Sequence, residues 1–270
     1  MQELEEQLGK TLFIRGKRKI LLTEEGMFLR MRAREILSLV EKTEAELLMP
    51  ENDVAGEVCI GSGETDTMKI VVRAARKLRE AYPRITFRIF SGNGEDVAER
   101  LERGLIDFGI FVEPFDLSRF DYVRLPVKET WGLLMKAESP LARHNDIHPE
   151  DIVPLPLIMS RQSMVQNMLS GWLGGRKEQL NIVSTYNLLY NASLMVEEGM
   201  GYALCLDGII STSGERSLCF RPLEPKLEAG LSMAWKKYQV FSRSAELFLK
   251  YLKAEIRGVE MVDSKDKKIF

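Results

Sequence analysis

The chain has 270 residues, and 38 Lys+Arg against 40 Asp+Glu leave a formal net charge of −2, so any nucleic-acid footprint has to be local rather than spread over the whole protein. An apolar fraction of 45% is that of a globular protein, and no apolar run reaches the roughly 18 residues that a membrane-spanning helix needs. The acidic start Met1-Gln2-Glu3-Leu4-Glu5-Glu6 lacks the apolar core of a secretory signal, and three widely spaced cysteines make no disulfide framework, so a cytoplasmic location is expected.

Residues 1–22 read as a helix followed by a β-ribbon. Leu4, Leu8 and Leu12 form an apolar stripe, and Gly9 is a natural helix stop. Phe13–Leu22 then places apolar residues at its ends and Arg15, Lys17, Arg18 and Lys19 about a tip at Gly16. Two short strands with a cationic turn suit contact with DNA phosphates, although the same charge run also suits a solvated loop. Residues 23–50 read as one long helix. Thr23 is a good N-cap, Glu24 and Glu25 favour the positive end of the helix dipole, and Pro50 ends it. Leu29, Ala33, Ile36, Val40, Thr43 and Leu47 recur at alternating steps of four and three, the seam spacing of paired helices. At roughly 39 Å such a helix is a strut that dimerises with a second copy, or else a core helix of the domain that follows.

From the hinge Asn52–Gly56 onward the pattern is α/β. Glu57–Gly61 is a strand, Ser62–Asp66 a turn and Thr67–Tyr82 an amphipathic helix. Arg84–Ser91 is a strand, Asn93–Arg103 a helix and Ile106–Val112 a buried strand. This alternation predicts a largely parallel sheet. The chain is expected to cross to a second lobe near Leu125–Thr130. There, Trp131–Lys136 is a strand, Val165–Trp172 a helix, Leu180–Thr185 a strand and Tyr186–Glu198 a helix. Leu218–Leu223 and Leu231–Trp235 are strands, and Ser242–Ile256 is a helix returning to the first lobe. Two lobes with two crossings leave a cleft, where ligands of α/β proteins bind.

Several stretches carry a family resemblance, Ser139–Ala142 and Asp151–Ile158 among them. Leu4-Glu5-Glu6-Gln7-Leu8-Gly9-Lys10-Thr11-Leu12-Phe13, Arg15 and Leu22-Thr23-Glu24-Glu25-Gly26 resemble the LysR-type transcriptional regulators, where this order closes a winged helix-turn-helix and enters a linker helix. Leu101–Ile110 is similar to the family's L-x-x-G-x-x-D-x-x-I. Val196–Leu206 is similar to V-x-x-G-x-G-x-x-L-x-P, with Leu206 and Asp207 where the proline is usual. The resemblance implies a partial winged helix-turn-helix (1–22), a dimerisation helix (23–50) and a two-lobed periplasmic-binding-protein-like effector domain of two Rossmann-like lobes. Lobe I is then 54–128 and 229–256, lobe II 129–228, and 257–270 a frayed tail. It further implies a regulator that binds double-stranded DNA and a small effector, as a dimer or tetramer. The family pattern has roughly twenty more residues before this point, so base-specific DNA binding is expected to be impaired. A non-DNA-binding sensor or solute-binding module, or a heterodimerising inhibitor of a full-length relative, fits the same residues.

Ser62, Gly63, Glu64 and Thr65 precede a helix N-terminus, where free N–H groups and small hydroxyls suit an anion, while Glu64 suits an ammonium group. Ser160, Arg161 and Gln162 follow a strand of the second lobe, and Arg161 suits a carboxylate. Together they point to a carboxylate or amino-acid-like effector, against the alternative of a Glu64–Arg161 ion pair. Leu206 and Asp207 join these candidates. No metal site, cofactor motif or catalytic constellation is legible: Gly61-Ser62-Gly63 is followed by Asp66 where the dinucleotide fingerprint needs glycine. A redox switch through Cys205 and Cys219 is conceivable but lacks an electropositive setting apart from Arg221.

Overall fold

The computed structural model describes residues 1–16, 19–47, 54–161, 169–212 and 217–266. It divides into two compact units, Met1–Asp53 and Val54–Phe270. Lys17, Arg18 and Gln162, the helix stop at Pro50, the start of the helix expected from Val165, and the side chains of Arg15 and Leu47 lie outside the description.

In the first unit, α1 (Gln2–Leu8) ends at Gly9, and β1 (Phe13–Arg15) pairs antiparallel with β2 (Ile20–Leu22). Helix α2 (Glu24–Leu47) follows. Leu12 is the buried anchor. Glu5 Oε1 accepts from the N–H groups of Leu12 and Phe13, and Thr23 Oγ1 donates to the Thr11 carbonyl while accepting from the Gly26 N–H at 3.0 Å. Gly26 is required by close approach, because a Cβ there would meet the Leu12 carbonyl oxygen at 2.1 Å. These contacts account for the spacing of leucine, threonine and glycine read in the sequence. Among its described residues α2 buries only Gly26.

The second unit contains β3 (Gly56–Ser62), α3 (Met68–Ala81), β4 (Ile85–Ser91), α4 (Gly94–Glu102), β5 (Phe108–Val112) and β6 (Phe120–Lys136). Then come α5 (Pro149–Ile152), β7 (Pro156–Ser160), β8 (Asn181–Tyr186), α6 (Leu189–Glu197) and β9 (Tyr202–Leu206). The chain closes with β10 (Leu218–Pro222), β11 (Glu228–Lys236) and α7 (Arg243–Asp266). Among the described residues the strands lie in the order β4-β3-β5-β11-β6-β9-β7-β8, with β10 on β6.

The sheet is mixed rather than largely parallel. Strands β3, β4 and β5 run parallel, as do β7, β8 and β9, but β6 and β11 are antiparallel to each other and to their other neighbours. The reason is topological: one strand carries the chain out of the first lobe and the other brings it back. β6 is one continuous 17-residue strand where the sequence suggests a crossing and then a strand. Its Leu125 packs in the core with Val58, Ile60 and Phe108, and its Leu133 and Met135 pack in the core with Leu157 and Leu204.

Two further boundaries differ from the sequence reading. Tyr186 ends β8 instead of starting a helix, since its backbone carbonyl accepts from the Arg161 N–H at 2.8 Å. Helix α7 packs Phe248 against Phe87 and Phe108 in the first lobe and runs to Asp266, past Ile256 where a frayed tail is expected. Gly199, at φ 78°, closes α6 with paired bonds from Gly199 N–H to Val196 O and Met200 N–H to Met195 O. Asp107 of the family-like stretch Leu101–Ile110 is buried, and its Oδ2 accepts from the Cys59 N–H at 2.8 Å, joining the start of β5 to β3. Asp107→Ala leaves that donor unpaired in the core and is expected to cost about 1–3 kcal/mol, read as a lowered urea midpoint by circular dichroism.

Candidate functional site

The strand ends and helix starts of both lobes meet at one cleft. From lobe I come the turn after β3 and the start of α4. From lobe II come the ends of β7, β8 and β9 and the start of α6. Between them is a cavity of about 70 Å³ lined by Gly63, Glu64, Asn93, Val112, Trp131, Ser160, Tyr186, Asn187, Leu189, Leu206 and Ile209. That volume holds a few waters and is far below the roughly 300–1,000 Å³ of ordinary ligand pockets. A wider hollow of about 600 Å³ shares Gly63, Glu64 and Ile209 with it and adds Ser62, Thr65, Asp66, Lys69 and Arg73.

The helix N-terminus that the sequence offers to an anion is already filled from within. Thr67, the N-cap of α3, makes no side-chain cap of its own. Instead Glu129 of β6 reaches the turn, and its Oε1 accepts from Thr67 N–H at 2.9 Å, from Thr67 Oγ1 at 2.7 Å and from Thr65 Oγ1. A carboxylate at a helix start is stabilised by the free N–H groups and the dipole. Glu129 is only 7% exposed, and its Oε2 has no hydrogen-bond partner among the described residues. Ser62 is buried, with its hydroxyl donating to the Gly63 carbonyl at 2.7 Å.

Glu64 performs the same service across the cleft. Its Oε2 accepts from the N–H of Leu189, the first residue of α6, so a side chain of lobe I caps a helix of lobe II. Glu64 and Arg161 are not brought together: Glu64 turns to α6, and the Arg161 side chain is exposed. Ser160 and Leu206 line the cavity. Asp207 is exposed and closes its own turn, with Oδ1 accepting from the Gly208 N–H at 2.7 Å and its N–H donating to the Thr130 carbonyl.

Sequence reasoning missed Asn93, Trp131, Tyr186 and Glu129. Glu129 and Trp131 stand two apart on β6 and share a face, a signal that is legible only once β6 is known to run unbroken through the crossing. Trp131 is 4% exposed and its Nε1–H also meets no acceptor among the described residues. Tyr186 donates its hydroxyl to the Leu204 carbonyl at 2.7 Å, and burial, reinforced by Cys205 and Glu64, pushes its phenol well above the usual tyrosine range. Among the described residues no group of three potential metal ligands occurs, and no helix is long and apolar enough to cross a membrane.

The cysteines do not form a switch. Cys205 pairs with Gly132 from one side of β6 and Cys219 with Met135 from the other, so two strand spacings, roughly 10 Å, separate them, too far for a disulfide. Burial pushes the Cys59 thiol up to about 11 and raises Cys205 and Cys219 as well. Thiols protonated at neutral pH are poor nucleophiles. Titration with a thiol-disulfide reagent at neutral pH is expected to modify the half-buried Cys219 first and Cys59 and Cys205 only on unfolding, and mild oxidation to yield no Cys205–Cys219 bond.

Comparison with known proteins places this geometry in a family. Residues 51–257 match the LysR substrate binding domain. The HTH-type transcriptional regulator YvbU of Bacillus subtilis is 24% identical over 261 residues, spanning 95% of this chain and 87% of that protein. The structure of CbnR, a LysR family transcriptional regulator, superposes with a TM-score of 0.72 at 16% identity, covering 95% of this chain and 87% of that one. The effector binding domain of QuiR in complex with shikimate gives a TM-score of 0.65 at 17% identity, covering 76% of this chain and 99% of that one.

Proposed function

The chain belongs to the LysR family of transcriptional regulators and carries its effector-binding domain, and from that premise we propose how its parts divide the work. The relatives are transcriptional regulators, not enzymes. Residues 54–128 and 229–256 form one effector lobe, and 129–228 the other. A small molecule enters the cleft between them, in the cytoplasm. The observation that carries this reading is the Glu64–Leu189 bond, which ties the lobes together across the cavity. A ligand that engages Glu64 favours one lobe arrangement over another, and typical coupling of this kind is about 1–3 kcal/mol. The QuiR domain holds shikimate, and CbnR has been seen with its target DNA. The first supports a small-molecule ligand and the second DNA as the macromolecular partner.

Dimerisation is assigned to α2. Its Ile36 and Val40 are 61% and 45% exposed, and Phe28, Met31 and Leu37 add apolar surface that the seam reading did not include. Leu29 and Ala33 are half-buried, and Thr43 satisfies its hydroxyl on the Leu39 carbonyl at 2.7 Å, which removes the polar cost of a threonine in the seam. Exposed apolar surface of this extent on a helix marks an interaction face. The ribbon β1–β2 is assigned to phosphate contact on the basic sequence it carries, Arg15, Lys17, Arg18 and Lys19.

Two measurements test the assignment. The double variant Ile36→Glu, Val40→Glu is expected to raise the dimer dissociation constant by at least about tenfold in sedimentation equilibrium; an unchanged mass would remove α2 from the interface. DNA from the gene's own control region is titrated across a salt series. Replacing Lys17, Arg18 and Lys19 by alanine is expected to reduce the slope of log K against log salt by about 1 per lost phosphate contact. Binding no tighter than the nonspecific level of roughly 10⁻⁴–10⁻⁶ M by an upstream-extended version as well as by this chain would favour a sensor that does not bind DNA, or a heterodimerising inhibitor.

A further inference from the structure

We propose that the cleft selects a small organic cation, an ammonium or guanidinium compound that also carries a hydroxyl or carbonyl acceptor, and discriminates against carboxylates and phosphates. The proposal rests on the effector-sensing reading above and names the ligand class for that site.

The charge of the cleft is one-sided. Glu64 lines the cavity, Glu129 is held by Thr65 and Thr67 of the same turn, and no Lys, Arg or His is among the lining residues. The cations at the outer hollow are engaged by carboxylates: Lys69 Nζ lies 2.5 Å from Asp66 and Arg73 Nε 3.8 Å from Glu255. The helix starts that would draw an anion, those of α3 and α6, are taken by Glu129 and Glu64. An entering anion therefore meets the Glu64 carboxylate, and among the described residues the starts of α3 and α6 are already capped.

Two buried groups specify what is wanted in its place. Glu129 Oε2 lacks a donor and Trp131 Nε1–H lacks an acceptor among the described residues, at 7% and 4% exposure. Unsatisfied polar atoms at such depth are costly, and a ligand that supplies both partners recovers that cost. Trp131 lines the cavity, and Glu129, two residues before it on β6, is bound to Thr65 and Thr67 of the turn that carries the lining residue Glu64. The rings of Trp131 and Tyr186 add aromatic faces suited to a cation. A cation engaging Glu64 also competes with the Leu189 N–H, so the ligand acts directly on the bond between the lobes.

The test is isothermal titration of the full chain with putrescine, agmatine and ethanolamine, against succinate, malate and inorganic phosphate. At least one amine is expected to bind and the anions to give no heat. Glu64→Gln and Glu129→Gln are each expected to weaken the amine by about tenfold or more. Trp131→Phe keeps an aromatic face and removes the N–H, so it weakens ethanolamine, which has an acceptor, more than putrescine, which has none. That contrast separates a binding role from general loss of fold. No amine binding at millimolar concentration, or an anion binding more tightly than every amine, overturns the proposal. If an anion binds and alters DNA affinity, the ligand class is wrong and the effector-sensing reading stands. If an amine binds and DNA affinity does not change, the class stands and the effector-sensing reading fails.

Discussion

Glu129 sits where the chain crosses between lobes, and much of the cleft is arranged around that one buried carboxylate. The crossing strand β6 must bury its side chains on both lobes, yet it also carries an acid at the depth of the core. The charge is tolerated because its Oε1 takes the N–H of Thr67 and two threonine hydroxyls at the start of α3. Burial of a carboxylate without such partners would cost several kcal/mol. The arrangement fixes the turn 63–67, and the turn in turn presents Glu64 to the opposite lobe.

The second lobe depends on that presentation. Leu188, the N-cap of α6, offers no side-chain acceptor, so the helix draws its cap from Glu64, far away in sequence. A carboxylate at a helix start contributes about 0.3–1 kcal/mol, and up to about 2 kcal/mol in partly buried settings. That magnitude matters for a switch. It is large enough to bias a two-state equilibrium and small enough for a ligand to outweigh, whereas a cleft closed by a hydrophobic core would not open on binding. The cavity of about 70 Å³ is consistent with a closed arrangement.

The likeness to full-length regulators rests on the fold, and the departures lie in the chemistry of the site. The family-like stretches explain themselves as backbone requirements: Gly26 for close approach to Leu12, Asp107 for joining β5 to β3, Gly199 for ending α6. None of these residues chooses a ligand. Most residues that face the cavity, Trp131, Asn93 and Tyr186 among them, stand outside those stretches, with Leu206 the exception, which is why relatives of the same architecture inform little about what this cleft holds.

The sequence by itself determined the order of helices and strands, the two-lobed α/β plan, the cap at Thr23, the stop at Gly9 and the return of the last helix to the first lobe. Each is a local or periodic property: apolar spacing of two or of three and four, a capping hydroxyl, a residue that tolerates positive φ. Ser62, Glu64 and Thr65 were legible as site candidates for the same reason, since they follow a strand and precede a helix. Only the tertiary structure decided what those groups do. Whether a helix start is open to a ligand depends on what else reaches it, and Glu129 and Glu64 are 62 and 125 residues from the N–H groups they cap. The separation of Cys205 from Cys219 and of Glu64 from Arg161 is likewise set by strand order and side-chain direction. Such pairings join residues that sequence periodicity treats as unrelated, so they become visible only when the two crossing strands bring the lobes together.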